Sequence, residues 1–277
     1  MSYLRACSVR LLSLPICLAS ASFILGADEP TFSEQQKIDF MQNAKVIKSK
    51  ERCSARKGVT TTWLLTLNDG TVTYDACFQP VDESKTVMQF ADGRAEIDFK
   101  DSWKFNIAGY RVAKMIGLEY MVPVYTEREW KGRPGSMSWW VPNVMFDEAD
   151  RLKKGERPPD VDDFNKQMYR IRILTQLFYD TDTNLTNVLI TKDWKLWRID
   201  FSRAFRSHKD LLNPKDLVMC DRQVLAKLKG LNFDEVFNAT NPYLSKDQVK
   251  GLMARRDKIV EIFEKLVAQK GDNEVLY

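Results

Sequence analysis

The sequence predicts an α+β fold in two lobes, a β-rich N-terminal lobe with one helix and a mainly helical C-terminal lobe. Three observations carry that expectation. Hairpin-forming stretches crowd residues 60–99, the apolar period switches to helical spacing from Trp103 to Gly117, and beyond 206 the chain reads as helix. At 277 residues the chain has room for two such lobes around a cleft and enough apolar content for a core in each.

The first segment is of a different kind. Arg5 and Arg10 precede an apolar stretch from Leu11 to Gly26, and Leu25-Gly26-Ala27 forms a cleavage site before Asp28-Glu29-Pro30. That run is short for a membrane span and is interrupted by Ser13, Pro15, Ser20 and Ser22. We therefore read 1–27 as an export signal, with an uncleaved anchor as the alternative. No stable membrane insertion is expected once the signal is removed. Residues 1–27 hold two arginines and no acid, so a formal charge of +4 falls to +2 without them. That near-neutral balance gives no argument for nucleic acid as a partner.

After 27, residues 28–141 are expected to form the N-terminal lobe, opening with a polar lead and one helix from Ser33 to Val46. Residues 60–67 are β-branched and aromatic, and Asn68-Asp69-Gly70 is a hairpin turn returning through Thr71–Phe78. A second hairpin is placed at Lys85–Phe90 and Ala95–Phe99 around Asp92-Gly93. Ala108, Val112, Met115 and Ile116 then share one helical face, with Gly117 as its stop. Met121–Tyr125 and Ser136–Val141 read as two further strands. Polar residues 142–162, with Pro158-Pro159, read as the linker between lobes, and 163–277 as the C-terminal lobe. That lobe opens on a long helix from Phe164 to Tyr179 and closes on another, which starts at the capping box Ser245-x-x-Gln248 and ends near Gln269.

Chemistry concentrates between the helix ending at Tyr179 and Phe205. Asp182-Thr183-Asn184-Leu185-Thr186-Asn187 is an acid–amide loop running into an apolar strand, and Trp197-Arg198-Ile199 ends on Asp200, thirteen positions after Asn187. Two acids and an amide at strand ends suit a divalent cation held against phosphate oxygens, because Mg²⁺ takes oxygen ligands and keeps several waters. Asn187 and Asp200 are the candidate metal ligands. Asp182 is left to orient a hydroxyl nucleophile. The bland alternative is a hairpin whose Asp and Asn merely cap turns.

These residues resemble those of a known family. The stretch around 164–206 looks like the atypical branch of the protein-kinase-like fold, which includes phosphatidylinositol 3/4-kinases, HipA-type bacterial kinases and secretory kinases of the Golgi casein kinase type. Asp200-Phe201-Ser202-Arg203-Ala204-Phe205 fits that branch's relaxed Asp-Phe-Gly segment, without the glycine. The wording Asn-Leu-x-Asn and Ile-Asp-x-x-Arg-Ala-Phe looks most like bacterial members of the group. The resemblance implies an ATP-binding phosphotransferase using Mg²⁺ or Mn²⁺. Its phosphate acceptor is unknown. Lys57 and Gly58, in Ser54-Ala55-Arg56-Lys57-Gly58, occupy the place of a phosphate-holding loop, although the stretch is not Gly-x-Gly-x-x-Gly.

At one point the chain departs from the family. The lysine of the third strand is matched by Gln79, and the helix glutamate that pairs with it by Asn106. A Gln79–Asn106 hydrogen bond would keep the helix in place but bring no cation to the phosphates. Arg56, Lys57 or Arg111 would have to supply charge, or Lys85, Lys100 or Lys104 if the register were shifted. A pseudokinase binding module is therefore the alternative reading. A secreted hydrolase has no Gly-x-Ser-x-Gly elbow and would depend on His208, the sole histidine, which reads as a solvated loop residue. Of the cysteines after 27, Cys53 and Cys77 could pair in an oxidising compartment, leaving Cys220 free or buried; their spacing does not suit zinc. In a eukaryotic secretory protein the sequon at Asn184 would place a glycan in the catalytic loop, with a second sequon further on at Asn238, so a bacterial exported protein is the preferred reading.

Overall fold

The computed structural model describes residues 31–53, 61–89, 93 and 95–277. The expected export signal and the Lys57–Gly58 loop lie outside the described residues. Helix α1 (Glu34–Asn43) begins on Ser33, whose hydroxyl accepts from Gln36 N–H while the Gln36 side chain accepts from Ser33 N–H. Strands β1 (Lys45–Glu51), β2 (Trp63–Asn68) and β3 (Thr73–Gln79) follow, then the β4 (Asp82–Gln89) and β5 (Ala95–Ser102) hairpin and helix α2 (Trp103–Met115). Strands β6 (Tyr125–Trp130) and β7 (Arg133–Trp139) complete an antiparallel five-stranded sheet of order β1-β2-β3-β7-β6.

Two local expectations are corrected here. The helix expected to run to Val46 ends at Asn43, and the following stretch, expected as polar lead, is β1, an edge strand rich in lysine with only Val46 half-buried, so it lacks the alternation that marks a strand. Met121–Tyr125 was expected as a strand. Glu119–Met121 is instead a 3₁₀ turn and β6 starts at Tyr125. Lys131 (φ 52°) and Gly132 (φ 71°) then make the tight left-handed turn that β-hairpins favour, inside a charged stretch that hides it.

Cys53, just past β1, is bonded to Cys77 on β3 across β2, with Cα atoms 5.7 Å apart, and Cys220 is buried as the free thiol. The sheet packs Leu65, Leu67, Phe78, Met137 and Trp139 against Phe40 and Met41 of α1. This is one apolar core.

The expected linker, 142–162, carries elements of its own. β8 (Val144–Asp147) pairs with β9 (Val188–Thr191), and α3 (Glu148–Lys154) runs from its Asp147 cap to Gly155 at φ 68°. Helix α4 (Val161–Phe178) leads to β9 and β10 (Leu196–Arg198), which form a three-stranded antiparallel sheet with β8. Helices α5 (Arg222–Gly230), α6 (Phe233–Thr240), α7 (Lys246–Lys270) and α8 (Asp272–Val275) complete the chain, and the Ser245–Gln248 capping box opens α7 as expected. The second core joins α2 to these helices through Val112, Ile116, Leu174, Leu177, Phe201, Phe205, Leu252 and Phe263. α2 comes so close to the segment after Asp200 that a Cβ on Gly109 would lie 2.7 Å from the Phe201 ring. Among the described residues no helix is long and apolar enough to cross a membrane.

Candidate functional site

Tyr179 ends α4 in a left-handed conformation (φ 53°), turning the chain sharply into Asp180. Asp180 is fully buried and paired with Arg198, itself 2% exposed, at the end of β10. The Arg198 guanidinium also donates to the carbonyls of Asp182 (3.0 Å), Asn187 (3.2 Å) and Ile199. One buried cation therefore fastens both ends of the acid–amide loop to the strand that ends at Asp200. Asp180 accepts from Asp182 N–H at 3.1 Å. Burial pushes the Asp180 carboxyl up to about 6, against the pull of Arg198; the charges of Asp182 and Asp200 add to that rise. Three carboxylates are thus close enough to feel one another.

Within the loop, Asn184 Oδ1 accepts from Thr186 N–H at 3.1 Å and starts the 3₁₀ turn Leu185–Asn187. Asn187 Nδ2 then reaches Asp182 Oδ2 at 3.4 Å, which directs its amide oxygen away from that carboxylate. Ile199 N–H donates to the Asn187 carbonyl at 3.0 Å, so the residue before Asp200 is stitched to Asn187. Asp200 itself adopts φ 58°, uncommon for a residue with a side chain, and its N–H donates to the buried Tyr125 hydroxyl at 3.2 Å. Such strain persists where the surroundings over-determine it, often at functional sites.

Gln79 and Asn106 meet as the sequence register requires. Asn106 Nδ2 donates to Gln79 Oε1 and to Ser136 Oγ (3.1 Å), and Asn106 Oδ1 accepts from Phe201 N–H at 2.6 Å. Gln79 Nε2 donates to Asp200 Oδ1 at 3.4 Å, an oxygen that also accepts from Ser202 N–H at 3.3 Å. Both amides are buried. Lys85, Lys100 and Lys104 are instead paired with Glu83, Asp98 and Asp82 on the β4–β5 hairpin. Arg111 donates to the Ala239 carbonyl at 2.9 Å and lies over the Tyr243 ring. His208 is exposed and stacked on Tyr179.

Among the described residues no three His, Cys, Asp or Glu side chains converge as a metal-holding group. A cation here would rest on the Asp200 carboxylate, the Asn187 amide oxygen and the ligand's own phosphates, all oxygen donors of the kind magnesium and manganese accept. An open groove of about 790 Å³ between α1 and the β2–β3 turn, lined by Phe32, Asp39, Phe40 and Asn68, shares none of these residues.

Sequence reasoning missed Asp180, Arg198 and Tyr125. Arg198 had a signal, a lone charge within the apolar run Leu196-Trp197-Arg198-Ile199. Tyr125 had none, because its partner lies 75 positions away.

No protein-family model matches the chain, and no curated protein matches it. Solved structures do. A hydra Fam20 structure with sugar is 13% identical, with a TM-score of 0.62, over 88% of this chain and 92% of that one. The Golgi casein kinase with Mn/ADP bound is 12% identical, with a TM-score of 0.61, over 88% of this chain and 78% of that one. This chain therefore has the atypical kinase-like fold, in two lobes.

Proposed function

We propose that the protein is an atypical kinase-like phosphotransferase that binds ATP with Mg²⁺ or Mn²⁺ and transfers the γ-phosphate to a hydroxyl acceptor. The observation that carries this reading is that one buried arginine, Arg198, ties together the backbone of Asp182, Asn187 and Ile199, the residue before Asp200, with Gln79 and Asn106 behind Asp200. Asn187 and Asp200 would hold the cation. Bound there, it would neutralise charge on the phosphate oxygens, the main source of catalysis in such a reaction. Asp182 orients the acceptor hydroxyl and takes its proton. Gln79 and Asn106 keep α2 and Asp200 together, while Lys57 and Gly58 hold phosphates. The cleft lies between an N-lobe over 28–141 and a C-lobe over 163–277, joined by 142–162. Export to the periplasm or beyond, directed by 1–27, completes the reading, and the Cys53–Cys77 bond is consistent with it.

A second reading, a nucleotide- or partner-binding module without chemistry, is favoured by the uncharged Gln79–Asn106 pair. A single missing electrostatic group costs on the order of 10²–10³ in rate. Thermal melting with ADP or ATP and Mn²⁺ separates the possibilities. The first reading expects stabilisation that Asp200→Asn abolishes, and γ-phosphate release that Asp182→Asn abolishes. Binding without release supports the second. A wild-type melt that ignores nucleotide and cation sinks the first reading and supports the second as a partner-binding module.

A further inference from the structure

The β4–β5 hairpin crosses to the segment that follows Asp200, and one of its side chains does more than cover it. Glu96, on β5, is paired through Oε2 with Arg203 and through Oε1 with Arg206 at 2.7 Å. The same Oε1 accepts from Thr181 Oγ1 at 3.3 Å. Thr181 precedes Asp182, and Arg203 and Arg206 lie three and six residues past Asp200. A single carboxylate thus touches both segments that carry the site. Thr181 Oγ1 also donates to the Arg203 carbonyl at 3.1 Å, so the two segments meet at this point.

The setting supports a built contact rather than a chance surface pair. Glu96 is 18% exposed, Arg203 19% and Arg206 1%. Burial alone would raise the Glu96 carboxyl, yet Arg206 and Arg203 hold it below the usual range. The Arg203 guanidinium also lies 5.3 Å from the centre of the Phe99 ring, on the same strand as Glu96. Strict alternation would turn residues 96 and 99 to opposite faces. Asp98, between them, adopts φ 54°, and both side chains engage Arg203. At the foot of the strand, Ser102 N–H donates to the Ser202 carbonyl at 2.8 Å. An isolated two-stranded hairpin is marginal in water, so these contacts also hold the hairpin itself.

We propose that Glu96 is a positioning residue, which clamps Thr181 and the 201–206 segment to the hairpin and so keeps Asp182 and Asp200 in register with each other. Its consequence for nucleotide binding rests on the function proposed above; the clamp itself does not.

Two measurements on the full chain test it. The first is backbone hydrogen exchange without nucleotide, comparing wild type with Glu96→Gln and, as a second variant, Arg203→Gln. Exchange at 181–182 and 201–206 should rise at least tenfold in both variants, with α7 unchanged. Unchanged exchange at those segments in both variants would overturn the clamp. A uniform rise that includes α7 would also overturn it, since that marks general destabilisation. The second is calorimetric titration with ADP and Mn²⁺. Glu96→Gln should bind about tenfold more weakly, and Glu96→Gln with Arg203→Gln should be no weaker than the worse single variant, because the two act through one contact. Wild-type affinity retained in Glu96→Gln would overturn the positioning role. If wild type itself binds no ADP with Mn²⁺, the proposed function fails, while the exchange measurement still decides the clamp.

Discussion

Two buried polar pairs flank Asp200, and they solve the same problem in opposite ways. On the C-lobe side, Asp180 and Arg198 keep full charges in the interior. On the N-lobe side, Gln79 and Asn106 meet without charge. The difference lies in what surrounds each pair. Arg198 spends its remaining donors on three backbone carbonyls, and Asp180 accepts a backbone N–H, so the ion pair is embedded in hydrogen bonds. A buried pair of charges is tolerable only with such satisfaction. Around Gln79 and Asn106 the partners are a hydroxyl, one backbone N–H and Asp200. Two amides can satisfy themselves there at little desolvation cost. The charged pair fixes the geometry of the loop; the neutral pair fixes the position of α2.

Breaking the charged pair should have the largest effect. Arg198→Met leaves Asp180 buried without its partner and should cost about 3–5 kcal/mol in urea unfolding. Asp180→Leu combined with Arg198→Met should cost less than the single change. A double variant as unstable as the single one would mean that the carbonyl contacts of Arg198, not its charge, hold the loop.

The pH dependence of that pair comes next. An aspartate whose carboxyl is raised from its ordinary value to about 6 on folding contributes stability that is full below about pH 4 and is lost as pH rises through 6. Wild type should therefore lose stability relative to Asp180→Asn across that window, with a slope of at most roughly 1.4 kcal/mol per pH unit. A stability difference that is flat from pH 4 to 7 would show that Arg198 offsets the burial of Asp180 in full.

The smallest effect is expected on the neutral side. Gln79→Lys would place an ammonium group in this buried position, where it needs a partner. Asp200 stands 3.4 Å from the Gln79 amide and would serve as one. The single change should thus cost only about 1 kcal/mol, chiefly the acceptor that Asn106 loses. Adding Asn106→Glu should restore that stability and, in an active enzyme, raise phosphate transfer above the parent. A single variant several kcal/mol less stable would mean that Asp200 cannot accept the ammonium group.

Some of this was legible because it is local. Asn187 directly precedes β9 and Asp200 follows β10 by two residues, so residue type and spacing already mark both as strand-end groups, with Asp182 in the loop before them. The Gln79–Asn106 pairing came from the resemblance, which matches them to the lysine and glutamate of the kinase pattern. The capping box of α7 needed only Ser245 and Gln248. β1 escaped because an edge strand facing water need not alternate, and its lysines read as helix or loop. The strand in 142–162 escaped because its partner, β9, lies more than forty residues on.

What the chain determined by itself, then, is the order of its elements and the chemistry each one carries, since periodicity, caps and turns act over a few residues. The clamp by Glu96, the Arg198 fastening and the Tyr125 hydroxyl under Asp200 were decided only by the tertiary structure. Glu96 and Arg206 are 110 positions apart, and no local rule selects one arginine from the many in the chain. Only packing that buries Arg206 and half-buries Glu96, and so makes an unpaired charge costly, brings them together.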